Sequence, residues 1–346
     1  MRRGGRAADV EEGKDMKSVF MGSVVERSGK SMVTLGVALN CSKRVGYFKP
    51  FVEKLITGRE ALVDQDAYLM KKALKLHARE EDLCPFMYDL MRPVGMPAIV
   101  EAYRKVSHES DLMLVEGTRD IVTGCLHGVS GMAIAKAIGA EVVLVTSGNS
   151  SALDKTSMLA GMMNAQGVPF KGAIINMCSE PDIKAMLQDK GIPVLGTIPE
   201  VRELRRFTAR DIADVVNADI VVEDGLTNIV NEVFIGAMTP ETALTQMRRV
   251  QRKALITGGD RADLQLAALT TDTSCLVLTG GLPPVKQVVA KAYEEGVPIL
   301  VTRYNTLETA EMIDHLIARI DPGDASKIAR IKELVATNVD LKALWA

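Results

Sequence analysis

Aromatic residues are scarce in this sequence, 4% of 346 residues, and Trp345 is its sole tryptophan. Cores built on large rings are excluded, so Ala, Val, Leu, Ile and the 18 methionines have to fill them, a composition that suits sheets flanked by helices. An excess of one charge is also missing, since 42 Lys and Arg stand against 44 Asp and Glu. That balance removes any global electrostatic reason to seek nucleic acid or an acidic membrane as a partner. The five cysteines, Cys41, Cys84, Cys125, Cys178 and Cys275, show no CxxC and no Cys/His metal spacing, and neither do His77, His108, His127 and His315. The cysteines read as reduced, mostly buried thiols of a cytoplasmic protein and not as a disulfide framework. No apolar run approaches the roughly 18 to 20 residues that span a bilayer, and no apolar signal core opens the chain. What is present, 47% hydrophobic residues over this length, is enough for two domains.

Residues 1–15 are charged and almost free of apolar side chains, which predicts a disordered extension. From Ser18 a short apolar strand, a glycine turn and a helix recur: SVFMG before GKSMVTLGVALNC, then RVGYFKP, LMLVEG, AEVVLVTSG, GAIINMC and IPVLGTIP. Short β-branched strands alternating with helices predict an α/β fold, a parallel sheet covered on both faces, over residues 16–205. The charged stretch RELRRFTARD then separates a second series, predicted as a smaller α/β domain over 206–322. In it Thr257-Gly258-Gly259 recurs as Thr279-Gly280-Gly281, each a strand, a glycine turn and a helix, closing a βαβαβ unit with PILVTR. Residues 323–346 read as an amphipathic C-terminal helix that covers a core of either domain or meets a second subunit.

The most specific chemistry is Gly22-Ser-Val-Val-Glu-Arg-Ser28-Gly29-Lys30-Ser31, directly after the first strand and directly before a small-residue helix. That is the context of a P-loop: backbone N–H groups surround phosphate, Lys30 neutralises its charge, and Ser31 ligates Mg2+. The strict GxxxxGK[ST] pattern would put glycine at Val24, where the first glycine here comes two residues earlier. The bland alternative is a loop that merely opens a helix. An extra lysine found in some dimerising ATPases is replaced by Val25.

With VGYFKPF, DLMLVEG, GAIINMC and VLGTIPE following in order, the first domain resembles the dethiobiotin-synthetase-like ATP-binding domain. More closely, it is similar to the version at the N-terminus of long phosphate acetyltransferases and in stand-alone relatives, where it is joined to a DRTGG domain; residues 207–320 resemble the latter. The resemblance implies ATP and Mg2+ as cofactors. It gives Lys49 the stabilisation of a transferring phosphoryl group, Glu116 a Mg2+ ligand role, and Asp64, or else Asp66, a second carboxylate. It puts Asn176 on the adenine edge and Pro199 with Glu200 in the loop over the base. Each has a plainer alternative: a surface lysine, acids that start a helix, an asparagine capping a turn.

The sequence departs from dethiobiotin synthetases on the substrate side, where Lys49-Pro50 leads into Phe51-Val52 and Glu116-Gly117 into Thr118-Arg119. The large catalytic domain of phosphate acetyltransferases has no counterpart in the sequence, so acetyl-phosphate chemistry is not expected of it. In the second domain Asp260 is expected to cap a helix, and Gly258, Gly259, Gly280, Gly281 and Arg261 to form a small anion site, unless these are two ordinary glycine turns. Glu223, Asp224, Gly225 and Asn228 are expected in the same cleft or at a subunit contact, and Arg248, Arg249, Arg252 and Lys253 as a solvated helix end. The expected function is an ATP- and Mg2+-binding regulatory or sensor protein, with a small-molecule ligand, a separately encoded metabolic enzyme as partner, and a homo-oligomeric state implied by the family. The alternative is an ATP-dependent ligase that activates a carboxylate or carbamate.

Overall fold

The computed structural model describes residues 16–53, 55–56, 63–108, 110–201, 204, 206–316 and 320–346. The extension expected at 1–15, part of the charged stretch after Val201 and the side chain of His315 lie outside the described residues. The chain forms two compact units: one runs to Glu200 and resumes at Ile320–Ala346, and the other is Val201–Arg319.

The first unit is built on β1 (Lys17–Ser23), β2 (Val45–Phe48), a small parallel pair β3 (Phe51–Val52) and β4 (Phe86–Met87), β5 (Leu112–Glu116), β6 (Glu141–Ser147), β7 (Phe170–Asn176) and β8 (Val194–Thr197). The main sheet has the order β2-β5-β1-β6-β7-β8, and every pairing in it is parallel. Its strands are buried on both faces, which is why they read as unbroken apolar runs. Along β1 the side chains alternate: Val19 and Met21 face one core with Val33 and Val37, whereas Phe20 faces the other with Phe48, Ile99 and Leu159. The helices are α1 (Lys30–Leu39), α2 (Gln65–Leu74), α3 (Glu80–Leu83), α4 (Met96–Ser107), α5 (Gly131–Ala137), α6 (Ser150–Gln166) and α7 (Asp182–Asp189). Because β1 is flanked by β5 on one side and β6 on the other, the loop after it opens at the carboxyl ends of the sheet, where the strand order reverses.

The second unit contains β9 (Phe207–Thr208), α8 (Ala209–Val215), β10 (Asp219–Val222), β11 (Ile229–Val230), β12 (Glu232–Ile235), α9 (Pro240–Met247), β13 (Lys253–Gly258), α10 (Ala262–Leu269), β14 (Thr273–Thr279), α11 (Lys286–Glu295), β15 (Ile299–Val301) and α12 (Thr306–Leu316). Its sheet runs β10-β15-β14-β13-β12, parallel except for β10, which pairs antiparallel with β15. Separate cores lie on its two faces, one around Ile256, Val277 and Ile313, the other around Leu255, Leu276 and Val288.

The remaining helices, α13 (Ala325–Asn338) and α14 (Leu341–Trp345), belong to the first unit. Val335, Val339 and Leu344 join the core that holds Val33 and Val37 of α1. A Cβ on Gly36 would run into Val335, so glycine there lets α1 and α13 approach closely. No described helix is long and apolar enough to cross a membrane.

Candidate functional site

The loop after β1 is held from three sides. The Val24 N–H donates to the Val145 carbonyl at 3.1 Å, and its side chain fills the core where the strict motif would have glycine. The buried hydroxyls of Ser23 and Ser28 lie 2.7 Å apart. Asn176, at the end of β7, donates its amide to the Ser28 carbonyl at 2.9 Å. Gly29 then takes the left-handed conformation, φ 79°, and opens α1 without a side-chain cap. The first-turn N–H groups of α1 have no intrahelical partner, and the helix dipole makes that end positive.

Lys30 and Ser31 start the helix and meet Glu116, the last residue of β5. Lys30 donates to the Gly117 carbonyl and to the Thr118 carbonyl at 2.7 Å, with its ammonium 3.9 Å from Glu116 Oε1. Ser31 donates to Oε1 of Glu116 at 2.6 Å, and the Tyr47 hydroxyl donates to Oε2 at 3.0 Å. Burial first, then the Asp66 charge, push the Glu116 carboxyl up to about 7, against the pull of Lys30, Lys49 and the Ser31 hydroxyl. Burial and Glu116 likewise hold the Tyr47 phenol well above its ordinary value.

Lys49 is fully buried and sits in a nest of carboxylates: Asp66 at 2.7 Å, Asp64 at 3.2 Å and Glu53 at 3.3 Å. Burial alone would lower its pKa, yet Asp66, Asp64, Glu116 and Glu53 outweigh burial and leave it raised well above the ordinary lysine value. The surface-lysine alternative therefore falls. Asp64 is the N-cap of α2, accepting from the backbone N–H of Asp66 and Ala67 and also from that of Glu53 at 3.0 Å. With Lys49 added, its oxygens are engaged in a helix cap and an ion pair, in place of the second metal carboxylate expected there. Among the described residues no group of three or more His, Cys, Asp or Glu is arranged to hold a metal ion. What the mouth of the loop does offer is one hydroxyl and one carboxylate, Ser31 and Glu116. Such a small set of hard oxygens suits Mg2+, which keeps its other positions for water and phosphate.

The expected base-side residues lie at the ends of the paired strands β7 and β8, where Ile198 bonds Ile175 and Cys178 on either side of Asn176. Asn176 is 2% exposed and lies against the loop after β1, and a Cβ on Gly29 would collide with its amide nitrogen. Pro199 and Glu200 follow β8, with Glu200 exposed.

In the second unit the expected anion site is not built. The Gly280 and Gly281 N–H groups donate to the Tyr304 and Thr302 carbonyls, and that of Gly259 to Thr279. The Arg261 guanidinium is engaged by Asp263 at 3.2 Å and by the Met238 carbonyl at 3.1 Å. Arg261, and not Asp260, occupies the N-cap of α10, and no side chain caps it. The glycines serve turn geometry: Gly280 and Gly281 have φ 80° and 68°, and a Cβ on Gly259 would strike the Leu282 carbonyl. Asn228 donates to the Ser274 and Gly296 carbonyls, at the opposite end of β14 from Gly280 and about 20 Å away at strand rise, so it shares no cleft with the glycine turns. Lys253 is buried and donates to the carbonyls of Val250 and Asp272, unlike the exposed Arg248, Arg249 and Arg252.

Sequence reasoning missed Tyr47 and the part of Glu53 in the Lys49 nest. A signal for Tyr47 existed: it pairs in register with Leu114, so Glu116, two residues on, shares its face of the sheet. Nothing in the sequence pointed to Glu53.

Comparison with known proteins agrees with this division. Residues 17–208, more than half the chain, match the AAA domain family, and residues 211–316 match the DRTGG domain. The phosphate acetyltransferase of Nitratidesulfovibrio vulgaris is 24% identical over 94% of this chain and 51% of its own length. The ATP-dependent dethiobiotin synthetase BioD of Nitrosopumilus maritimus is 25% identical over 55% of this chain and 91% of its own. The chain thus spans about half the length of the phosphate acetyltransferases it matches. Among solved structures, the cell division ATPase MinD of Pyrococcus furiosus aligns at 19% identity and a TM-score of 0.37, covering 55% of this chain and 86% of that one. The chain belongs to the AAA domain family, in its P-loop, dethiobiotin-synthetase-like form, joined to a DRTGG domain as in the N-terminal half of the long phosphate acetyltransferases.

Proposed function

We propose that the first unit binds ATP with Mg2+ and that the chain acts as a regulatory sensor, its DRTGG domain taking a small-molecule ligand or mediating assembly into a homo-oligomer. The phosphate chain would lie on the N-terminus of α1 between Gly29 and Ser31, with Lys30 exchanging its two carbonyl partners for phosphate oxygens and Ser31 and Glu116 holding the metal. Mg2+ would neutralise and orient the β and γ phosphates. Asn176, Pro199 and Glu200 remain the candidates for the base side.

The observation that carries the regulatory reading is the contrast between the two lysines. Among the described residues Lys30 donates to two neutral carbonyls and meets a single carboxylate, Glu116, at 3.9 Å, so most of its charge is left for phosphate. Lys49 is enclosed by Asp64, Asp66 and Glu53, so its charge is already met by carboxylates of the chain itself and little is left for a transferring phosphoryl group. A phosphoryl-transferring ligase of the dethiobiotin-synthetase type is therefore the weaker reading. Steady ADP release, followed across a panel of amines and carboxylates, tests the choice. The sensor reading expects none above the rate without additive, and release that depends on one acceptor would replace it with the ligase.

A further inference from the structure

We infer that Tyr47 is a positioning residue of the metal site: it holds one oxygen of Glu116 so that the carboxylate presents the other alone, and the site thereby prefers Mg2+ to Ca2+. The inference rests on the reading of the first unit as a nucleotide site.

Tyr47 is placed by the sheet. β2 pairs with β5 in parallel, Tyr47 stands opposite Leu114, and Glu116 comes two residues on along the same face. Its neighbour Phe48 turns to the other face, into the core around Phe20. Tyr47 is 1% exposed, and its hydroxyl makes one hydrogen bond among the described residues, to Glu116 Oε2 at 3.0 Å. A phenylalanine would fill the same space with no polar atom to satisfy, whereas a buried hydroxyl costs free energy unless it is bonded. Packing alone therefore gives no reason for the hydroxyl, and its partner does.

The two oxygens of Glu116 have different surroundings. Oε1 accepts from Ser31 at 2.6 Å and has the Lys30 ammonium at 3.9 Å, so it lies with the residues that would meet metal and phosphate. Oε2 lies with Tyr47. Mg2+ demands near-ideal octahedral geometry, whereas Ca2+ accepts flexible coordination that includes both oxygens of one carboxylate. The two oxygens of a carboxylate are too close together to fill neighbouring octahedral positions without distortion. A carboxylate with one oxygen already engaged thus suits Mg2+ and denies Ca2+ its second contact. Ser31 and Tyr47, one on each oxygen, also hold the carboxylate in a single orientation, as the outer partners of a metal ligand do.

The test is calorimetric titration of ATP into the native chain and Tyr47→Phe, with the nucleotide saturated by Mg2+, saturated by Ca2+ or kept metal-free in EDTA. The native chain is expected to bind the Mg2+ form more tightly than the Ca2+ form. Tyr47→Phe keeps the ring and removes the donor. It should weaken the Mg2+ form about tenfold, the usual cost of losing the outer partner of a metal ligand, while the Ca2+ form binds no more weakly and the metal-free affinity stays unchanged. In a Glu116→Gln background the same substitution should leave the Mg2+ to Ca2+ preference as it is. Equal weakening of all three forms would make Tyr47 a purely structural residue and overturn the inference, as would an unaltered preference in Tyr47→Phe or an altered one in the Glu116→Gln background. If Tyr47→Phe does not fold, which its melting temperature without ligand reports, the native chain still decides, because equal affinity for the Mg2+ and Ca2+ forms overturns the inference and a preference for Mg2+ supports it. A native chain that binds ATP in none of the three conditions would overturn the proposed function itself; because the native chain is measured first, the two failures are told apart.

Discussion

Proton competition at Glu116 gives the nucleotide site a pH dependence that can be worked through. The carboxyl is fully buried and raised to about 7, and Mg2+ takes the carboxylate, not the acid. Protonation therefore competes with the metal, and affinity falls as pH drops through 7. The competing factor is one plus the ratio of protonated to ionised Glu116, about 1.1 at pH 8 and about 11 at pH 6, a tenfold loss or about 1.4 kcal/mol. Near pH 7, about half a proton should be released on Mg2+-dependent binding. Titrations in buffers of different ionisation enthalpy count that proton, and the increment in nucleotide affinity given by Mg2+ over EDTA isolates the metal's share. Glu116→Gln should lose the increment at every pH. An increment that stays constant from pH 6 to pH 8, corrected for Mg2+–nucleotide pairing in solution, would refute the assignment of Glu116 to the metal. The ligand-free protein should show the opposite trend: a raised folded-state pKa adds stability at low pH that is lost as pH rises through 7.

Three further outcomes follow from the packing. Lys49→Met removes a buried cation that pairs with Asp64, Asp66 and Glu53, and breaking a buried ion pair from one side costs on the order of 3 to 5 kcal/mol in urea unfolding; a loss below about 1 kcal/mol would mean the nest is solvated, contrary to the burial of Lys49. Gly36→Ala drives a Cβ into Val335 and should cost about 1 to 3 kcal/mol by overpacking. Val335→Ala in the same chain should recover part of that, and additive losses would show that α13 does not rest on α1. Burial lowers Lys253 to about 8; the folded state then sheds its proton before the unfolded one, so stability should rise between pH 8 and 10.5 relative to Lys253→Met. A parallel pH dependence in the two proteins would contradict the burial.

The fold was legible wherever one stretch of chain decides its own structure. The main strands of the first unit are continuous apolar runs because both faces are covered, and GKS after the first of them marks β1, the loop and α1. Pairings set across space were not legible. Lys49 meets Asp64 and Asp66 only because α2 starts beside the end of β2, and VDQDAYLM reads equally as a helix start, which for Asp64 it is. The return of α13 to α1 bypasses the whole second unit, so no local pattern could choose between the surfaces open to that helix. The same limit applies to Thr-Gly-Gly: glycines that could cradle an anion and glycines that only turn the chain look alike until Tyr304 and Thr302 are seen to accept their N–H groups. Lys253 ended a basic cluster by sequence but starts β13 in the structure, and the strand buries it.

The central claim is that Lys30, Ser31 and Glu116 hold the phosphates and metal of ATP. Calorimetric titration of ATP with Mg2+ into the native chain and into Lys30→Ala tests it most directly. The account predicts saturable binding by the native chain, weakened when Mg2+ is removed, and at least a hundredfold loss in Lys30→Ala, in line with the roughly 3 kcal/mol or more that a desolvated charge pair contributes. Equal affinity in the two proteins, or no binding of ATP by the native chain, would contradict it.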